Sequence, residues 1–351
     1  MSRPFFSIII PTRSRSDLVH VAIESVLAQT FTDWELIISD SDPTEQTSNV
    51  IKRYEDTRIR HFRSGDLSMA DNWEFGLEKT TGQYVTVLQD KAALLPDALA
   101  IIHKACLDFN VPIVSWNYSF VHKEKNPEKI LEQRDYTRWT YSAEEVLQLF
   151  VCHGDYNFSR VTPRFINSCC ERSIIEKAKR TSVGRVFPPY SPDYTSMYIQ
   201  LYLYDELAYI DRPLMLIDNR KYSSGAALAA KAKDTQEYKT AERTLMLGDE
   251  RHLCDRMPVN APHISYNHMM NEYVRMRELL GGRLTYYPVD LISYYNQCYH
   301  FIELSEELGA DMTEERQRVD LSLAQQCGNV KRGVRDLRNR HEAARKAGMI
   351  K

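Results

Sequence analysis

Short apolar runs alternate with segments of helical period through the first half of this chain. Phe6-Ser7-Ile8-Ile9-Ile10 is brief and β-branched and stops at Pro11-Thr12, which predicts a buried strand. Ser16 or Asp17 is then placed to cap a helix whose Leu18, Ala22, Ile23, Val26 and Leu27 share one face. Trp34-Glu35-Leu36-Ile37-Ile38 predicts a second strand, ended by Ser39-Asp40-Ser41-Asp42-Pro43. A helix through Val50-Ile51 and Tyr54 follows, then a strand at Ile59-Arg60-His61-Phe62 and a helix near Asp71 to Glu78. A strand over 84–88, a helix from Pro96 to Leu107 and a strand at Pro112-Ile113-Val114-Ser115-Trp116 complete the series. Such alternation predicts an α/β fold, a mostly parallel sheet with helices on both faces.

The pattern then loosens. Residues 120–140 are polar and charged and read as an exposed loop or β-excursion, and Ser142-Ala143-Glu144-Glu145 is a capping box that opens a short helix. Pro192-Asp193 leads into a helix-like aromatic run from Tyr194 to Tyr204, and Leu214-Met215-Leu216-Ile217 is a further apolar run. After Ser224-Gly225 helix formers dominate. Two parts are therefore expected, residues 1–225 as an α/β domain and 226–351 as an all-helical region.

Composition narrows the class. The formal net charge of −3 argues against nucleic acid as the main partner. Seven cysteines without framework spacing, two of them adjacent at Cys169-Cys170 and none in a CxxC pair, predict reduced thiols and no zinc site. His252, His263 and His268 show no zinc spacing either. Met1-Ser2-Arg3-Pro4 runs straight into a strand and no apolar run approaches the roughly 20 residues that span a bilayer, so a cytoplasmic location is expected. Residues 331–351 carry Lys331, Arg332, Arg335, Arg338, Arg340, Arg345, Lys346 and Lys351 against Asp336 and Glu342. That tail reads either as a solvated helix or as a peripheral contact with anionic lipid at the inner face of a membrane.

Chemistry concentrates at the strand ends. In open α/β sheets ligands sit beyond the carboxyl ends of the strands, and Thr12-Arg13, Ser39-Asp40 and Gln89-Asp90-Lys91 all fall there. A buried strand that delivers a carboxylate to its end is how enzymes hold a metal against a nucleotide diphosphate. Here a single Asp is followed by a lysine.

Ser7 to Arg15, Ala22 to Thr30, Trp34 to Asp40, Asp71-Asn72-Trp73 and Thr81-Gly82-Gln83-Tyr84-Val85 form an ordered series of motifs within residues 5–225. Together they resemble family 2 glycosyltransferases. The resemblance implies a GT-A fold, a nucleotide-diphosphate sugar donor, most often UDP-linked, and inversion at the anomeric carbon. It implies a glycan or lipid-linked glycan acceptor and a role in building surface polysaccharide. By the same resemblance Asp40 reads the base, with a turn-forming Asp before Pro43 as the alternative. Pro11, Thr12 and Arg13 assist the nucleotide or form a plain helix-entry loop. Asp71 and Asn72 touch the nucleotide or cap a helix. Asp193 deprotonates the acceptor, a role compatible with capping the helix it opens.

The acidic motif of that family is reduced here. Aligned from Leu94-Leu95-Pro96, only Asp90 stands on an acidic position, and Lys91 and Ala92 take the next two. Asp90 with waters and diphosphate still offers a site for Mg²⁺ or Mn²⁺. Alternatively Lys91, with Arg13 or Arg220-Lys221, supplies part of that charge. Ser223-Ser224-Gly225 lacks the histidine found at this loop in some relatives, which removes a second metal ligand. Two other readings stay open: a silent nucleotide-sugar-binding protein that kept the fold, and a nucleotidyltransferase, disfavoured because a glycine-rich phosphate loop is missing.

Overall fold

β1 (Phe6–Thr12) is the organising strand of a mixed sheet that has nine strands among the described residues. The computed structural model describes residues 3–121, 135–153, 161–218, 227, 230–231, 233–235, 238–239 and 253–346. Two compact units result, Met1–Val146 with Asn157–Ser223 and Leu147–Tyr156 with Ser224–Lys351. The segment Leu147–Tyr156 thus groups with the helical part, although it lies inside the span 1–225 read as one domain.

In the first unit β1 pairs in parallel with β2 (Trp34–Asp40) and β4 (Tyr84–Val87), and β2 with β3 (Ile59–Arg63). Register aligns Thr12 with Asp40. The path continues through β8 (Ser168–Glu171), β6 (Ile113–Phe120) and β9 (Glu206–Ile217) to β5 (Ala92–Leu94), with β7 (Arg138–Ser142) also on β9. β8 is antiparallel to both of its neighbours, β6 is parallel to β9, and β5 and β7 are antiparallel to it.

Both faces of the parallel half are covered, which explains the unbroken apolar run in β1. Phe6, Ile8 and Ile10 join one core with α1 (Val19–Leu27) and α4 (Ala98–Phe109). On the opposite face α3 (Met69–Glu78) comes so close that a Cβ on Gly76 would sit 2.7 Å from Ile9 Cγ2 and 3.3 Å from Ser39 Cβ. α2 (Gln46–Ile51) follows β2, and α5 (Ala143–Val146) follows β7. The capping box at α5 forms as expected: Glu145 N–H donates to Ser142 Oγ at 3.0 Å and Ser142 N–H to Glu145 Oε2 at 2.7 Å. α6 (Arg172–Lys179) and α7 (Pro192–Leu203) complete the unit, and Tyr194 and Tyr198 of the aromatic run are buried in packing.

One start differs from expectation. Neither Ser16 nor Asp17 caps α1; its first turn is entered through the Arg15 carbonyl, which accepts the N–H groups of Leu18 and Val19 at 3.0 Å. The chain turns at Ser14, whose φ of 51° lies in the left-handed region. Val19 rather than Leu18 then faces the core.

Among the described residues the second unit is helical: α8 (Ser265–Leu280), α9 (Leu291–Glu307), α10 (Thr313–Ala324) and α11 (Gly328–Lys346), with Leu147–Cys152 as a short π-helix. Its core holds Tyr266, Met270, Tyr273, Tyr294, Tyr295, Cys298 and Ile302. α11 is packed rather than frayed. Gly333 lets it approach Ile292 of α9, Val334 is buried, and Arg338 pairs with Glu303 at 2.8 Å over the Tyr299 ring. No helix among the described residues is long and apolar enough to cross a membrane.

Candidate functional site

Three parallel strands end side by side, and each end carries polar groups held in a defined way. At the end of β1 the Thr12 carbonyl accepts the Ser41 N–H at 3.0 Å, while Thr12 Oγ1 is buried and makes no hydrogen bond. Pro11, one residue earlier, is half-buried. Arg13 is already engaged: its Nη1 donates to the Ser41 carbonyl at 3.1 Å and pairs with Asp66 at 2.7 Å.

Asp40, at the end of β2, is fully buried. Its Oδ1 accepts the Asp42 N–H at 2.9 Å, and its Oδ2 accepts the Ser48 hydroxyl at 3.0 Å and lies 3.1 Å from His61 Nε2. These contacts leave one lone pair of Oδ1 for a nucleobase N–H. Asp42 is held equally firmly by the backbone and hydroxyl of Thr44 and Thr47. These bonds outweigh burial and keep its carboxyl below the usual aspartate range.

Asp71 and Asn72 both brace α3. Ser68 Oγ accepts the Asp71 N–H at 3.2 Å and its hydroxyl returns a bond to Asp71 Oδ2 at 2.7 Å; Arg185 adds an ion pair at 2.9 Å. Asn72 locks the helix to the end of β2. Its Oδ1 accepts the hydroxyls of Ser39 and Ser64 at 2.5 and 2.6 Å, and its Nδ2 donates to the Ser39 carbonyl at 3.1 Å.

The end of β4 is a tight turn, closed by Ala92 N–H on the Gln89 carbonyl at 2.9 Å, with Asp90 and Lys91 at its two central positions. Asp90 is paired, and its partner is one the sequence did not single out: Arg15 Nη1 donates to Asp90 Oδ1 at 3.0 Å, with both side chains largely buried. The Lys91 side chain is half-buried, and its ammonium makes no hydrogen bond or ion pair with the described residues. Burial and the like charge of Arg15 hold its ammonium down to about 8, against the pull of Asp90, Asp193 and Asp218.

Asp193 stands in the first turn of α7, behind Pro192. Burial pushes its carboxyl up, while Arg164, the N–H groups of Asp193 and Tyr194, and Lys91 pull it down. Arg164, the second residue missed from sequence, is buried and donates to the hydroxyls of Tyr194 at 3.2 Å and Tyr118 at 2.9 Å. Asp90, Lys91, Arg15, Asp193 and Arg164 therefore form one electrostatic neighbourhood. Arg220, Lys221 and Ser223-Ser224-Gly225 lie outside the described residues.

The residues at this strand end do not make the oxygen-rich donor set that Mg²⁺ or Mn²⁺ takes. Asp90 is bound to a guanidinium, Lys91 adds a cation and Ala92 carries no donor. Among the described residues, no three or more His, Cys, Asp or Glu side chains cluster so that they could hold a metal ion.

Comparison with known proteins follows the same geometry. Residues 7–168 match Glycosyl transferase family 2. The chain is similar to the GalNAc(5)-diNAcBac-PP-undecaprenol beta-1,3-glucosyltransferase of Campylobacter jejuni, with 34% identity over 103 residues, which is 28% of this chain and 33% of that protein. It is also similar to the UDP-Glc:alpha-D-GlcNAc-diphosphoundecaprenol beta-1,3-glucosyltransferase WfgD of Escherichia coli, with 25% identity over 120 residues, covering 33% of this chain and 46% of that protein. The matches thus span between a third and a half of these relatives' lengths. Among solved structures, Staphylococcus aureus TarS 1–349 in complex with UDP-GlcNAc superimposes with a TM-score of 0.51 at 12% identity, over 87% of this chain and 92% of that one. That likeness shows the GT-A type of fold. Residues 7–168, a little under half of the chain, are thus similar to glycosyltransferase family 2.

Proposed function

We propose that this protein is an inverting glycosyltransferase that moves a sugar from a UDP-sugar to a lipid-linked glycan acceptor. One observation carries the reading: the catalytic candidate Asp193, at the start of α7, lies within electrostatic reach of Lys91 at the end of β4. A base and a cationic strand end in one neighbourhood are what displacement of a nucleoside diphosphate requires. Asp193 accepts the proton of the acceptor hydroxyl as that oxygen attacks the anomeric carbon, and its raised affinity for protons makes it a better base than an exposed aspartate. The rigid helix start fixes its carboxylate, and Arg164 anchors the same turn through Tyr194. The choice of donor and acceptor follows the names of the Escherichia coli and Campylobacter jejuni relatives, a UDP-Glc enzyme and enzymes of diphosphoundecaprenol-linked sugars.

Release of UDP from a panel of UDP-sugars, in the presence of undecaprenyl-diphosphate-linked sugars, tests the reading. Asp193→Asn is expected to lose about 10²- to 10⁴-fold in turnover while UDP binding is unchanged. Undiminished turnover by this variant refutes the assignment of the base. Absence of turnover by the unaltered protein, despite UDP binding, favours a silent nucleotide-sugar-binding relative.

A peripheral membrane contact belongs to the same proposal. Lys331, Arg332, Arg335, Arg340 and Lys346 are exposed on α11, and each adds about 1 kcal/mol near an anionic surface. Cosedimentation with phosphatidylserine vesicles should weaken when Lys331, Arg332 and Arg335 are changed to Gln; binding that is insensitive to these changes excludes the contact.

A further inference from the structure

We propose that the donor diphosphate is held by Arg15 and Lys91 directly, and that this protein binds its nucleotide and transfers its sugar without a divalent cation. The inference rests on the glycosyl-transfer reading above and specifies how the leaving group is stabilised.

The first support is the state of Asp90. In the metal-dependent arrangement implied by the resemblance, a carboxylate at this strand end would be open to a cation. Here its Oδ1 receives Arg15 at 3.0 Å, and the side chains are only 9% and 15% exposed. A cation placed on the other oxygen, Oδ2, would sit beside that largely buried guanidinium and the ammonium of the next residue, where like charge opposes it. The arrangement makes better sense if Asp90 aims Arg15. One N–H of the guanidinium is used by Asp90, and the remaining donors keep the fork geometry that matches phosphate oxygens.

The second support is Lys91. Turn geometry puts it next to Asp90 and turns it away from the sheet ladder, since Leu88 N–H closes the last bond to β1 on Ile9 and Ala92 begins β5. Its ammonium is half-buried yet makes no hydrogen bond or ion pair with the described residues. A lysine withdrawn from water without a bonded partner is costly unless an anion completes its shell. The Thr12 hydroxyl, buried without a partner at the end of the adjacent strand, is a second unsatisfied group at the same sheet edge. Both deficits are of the kind that a diphosphate and its ribose fill.

The step balances with groups already present. The acceptor oxygen forms a bond to the anomeric carbon and its proton passes to the Asp193 carboxylate. The bond from that carbon to the diphosphate oxygen breaks, and its electron pair leaves on the nucleoside diphosphate. Lys91 and the free N–H groups of Arg15 meet the charge that develops there, the role a metal ion has in related chemistry.

Titration calorimetry of UDP into the full chain, in EDTA and again in excess Mn²⁺, tests the inference without relying on turnover. The two dissociation constants should agree within about threefold. In EDTA, Lys91→Met should weaken UDP binding by about tenfold or more and leave the thermal melt unchanged or raised, because the Lys91 ammonium has no bonded partner among the described residues; Lys91→Arg should restore part of the affinity. UDP binding that appears only with Mn²⁺ overturns the inference, as does full affinity in Lys91→Met. If UDP, GDP, CDP and dTDP all fail to bind in both conditions, the nucleotide-sugar reading itself falls, a result distinct from dependence on Mn²⁺.

Discussion

At the scale of single residues, the polar side chains of this site divide into those that hold the protein together and those left with something to do. Asn72 belongs to the first group: it satisfies two hydroxyls and a backbone carbonyl in a buried position. Asn72→Leu should therefore cost about 2–3 kcal/mol of folding stability, since a buried group left unsatisfied costs about 1–3 kcal/mol. A denaturant melt shifted by that amount supports a bracing role, and an unshifted melt refutes it. Thr12 belongs to the second group. Thr12→Val removes a buried hydroxyl that bonds to nothing in the protein, so the melt should stay where it is or rise. UDP affinity should fall about 3- to 10-fold, the equivalent of one hydrogen bond; unchanged affinity would show that the nucleotide does not reach this hydroxyl.

At the scale of elements, the parallel half of the sheet could be read from the chain because β1 and β2 are largely apolar runs buried along almost their whole length, while the half-exposed edge strand β3 still opens on a β-branched Ile59. The runs at 6–10, 34–38 and 59–62 became β1, β2 and β3, each extended by one or two residues into the polar strand ends. The rest was hidden for physical reasons. β9 contains Asp211-Arg212-Pro213, which punctuates the sequence like a loop. In the structure the register with β6 shifts between Ile210 and Pro213, so the proline falls at an irregularity where its missing N–H is tolerated, and Arg212 is buried against Asp97 at 2.7 Å. β5 is three residues long, too short to show a period, and its place beside β9 arises from long-range pairing. The same limit applied to the site. Arg13 and Arg15 occupy one loop and look equivalent in sequence, and only the left-handed Ser14 and the α1 entry send one to Asp66 and the other to Asp90. α3 offers a test of how the elements are spaced. Gly76→Val would drive a side chain into Ile9 and Ser39, and overpacking of this kind costs about 1–3 kcal/mol. A lowered melting temperature together with weakened UDP binding is expected, because Asn72 moves with the helix; a wild-type melt would mean that α3 is less tightly seated than described.

At the scale of the whole chain, the helical unit has its own sensitivity to acid. Glu315 is buried, and although burial opposes ionisation, His263 at 3.3 Å and Lys231 at 2.7 Å bring its carboxyl down to about 2 from an ordinary value of 4.5. A carboxyl held low in the folded state stabilises fully above the unfolded value and loses that contribution as the pH falls through the folded one. Stability of this unit should therefore decline between about pH 4.5 and 2, and Glu315→Gln should flatten the decline in that window. An unaltered pH profile in the variant would assign the acid sensitivity elsewhere.

The central claim is that a nucleotide sugar lies across the ends of β1, β2 and β4 and against the start of α7. Hydrogen–deuterium exchange of the intact chain, with and without saturating UDP, tests it most directly. Bound nucleotide should slow exchange within residues 11–15, 39–42, 88–92 and 192–196 and leave residues 265–346 unchanged. Slowing confined to the C-terminal helices, or absent from all four strand-end and helix-start segments, would contradict it.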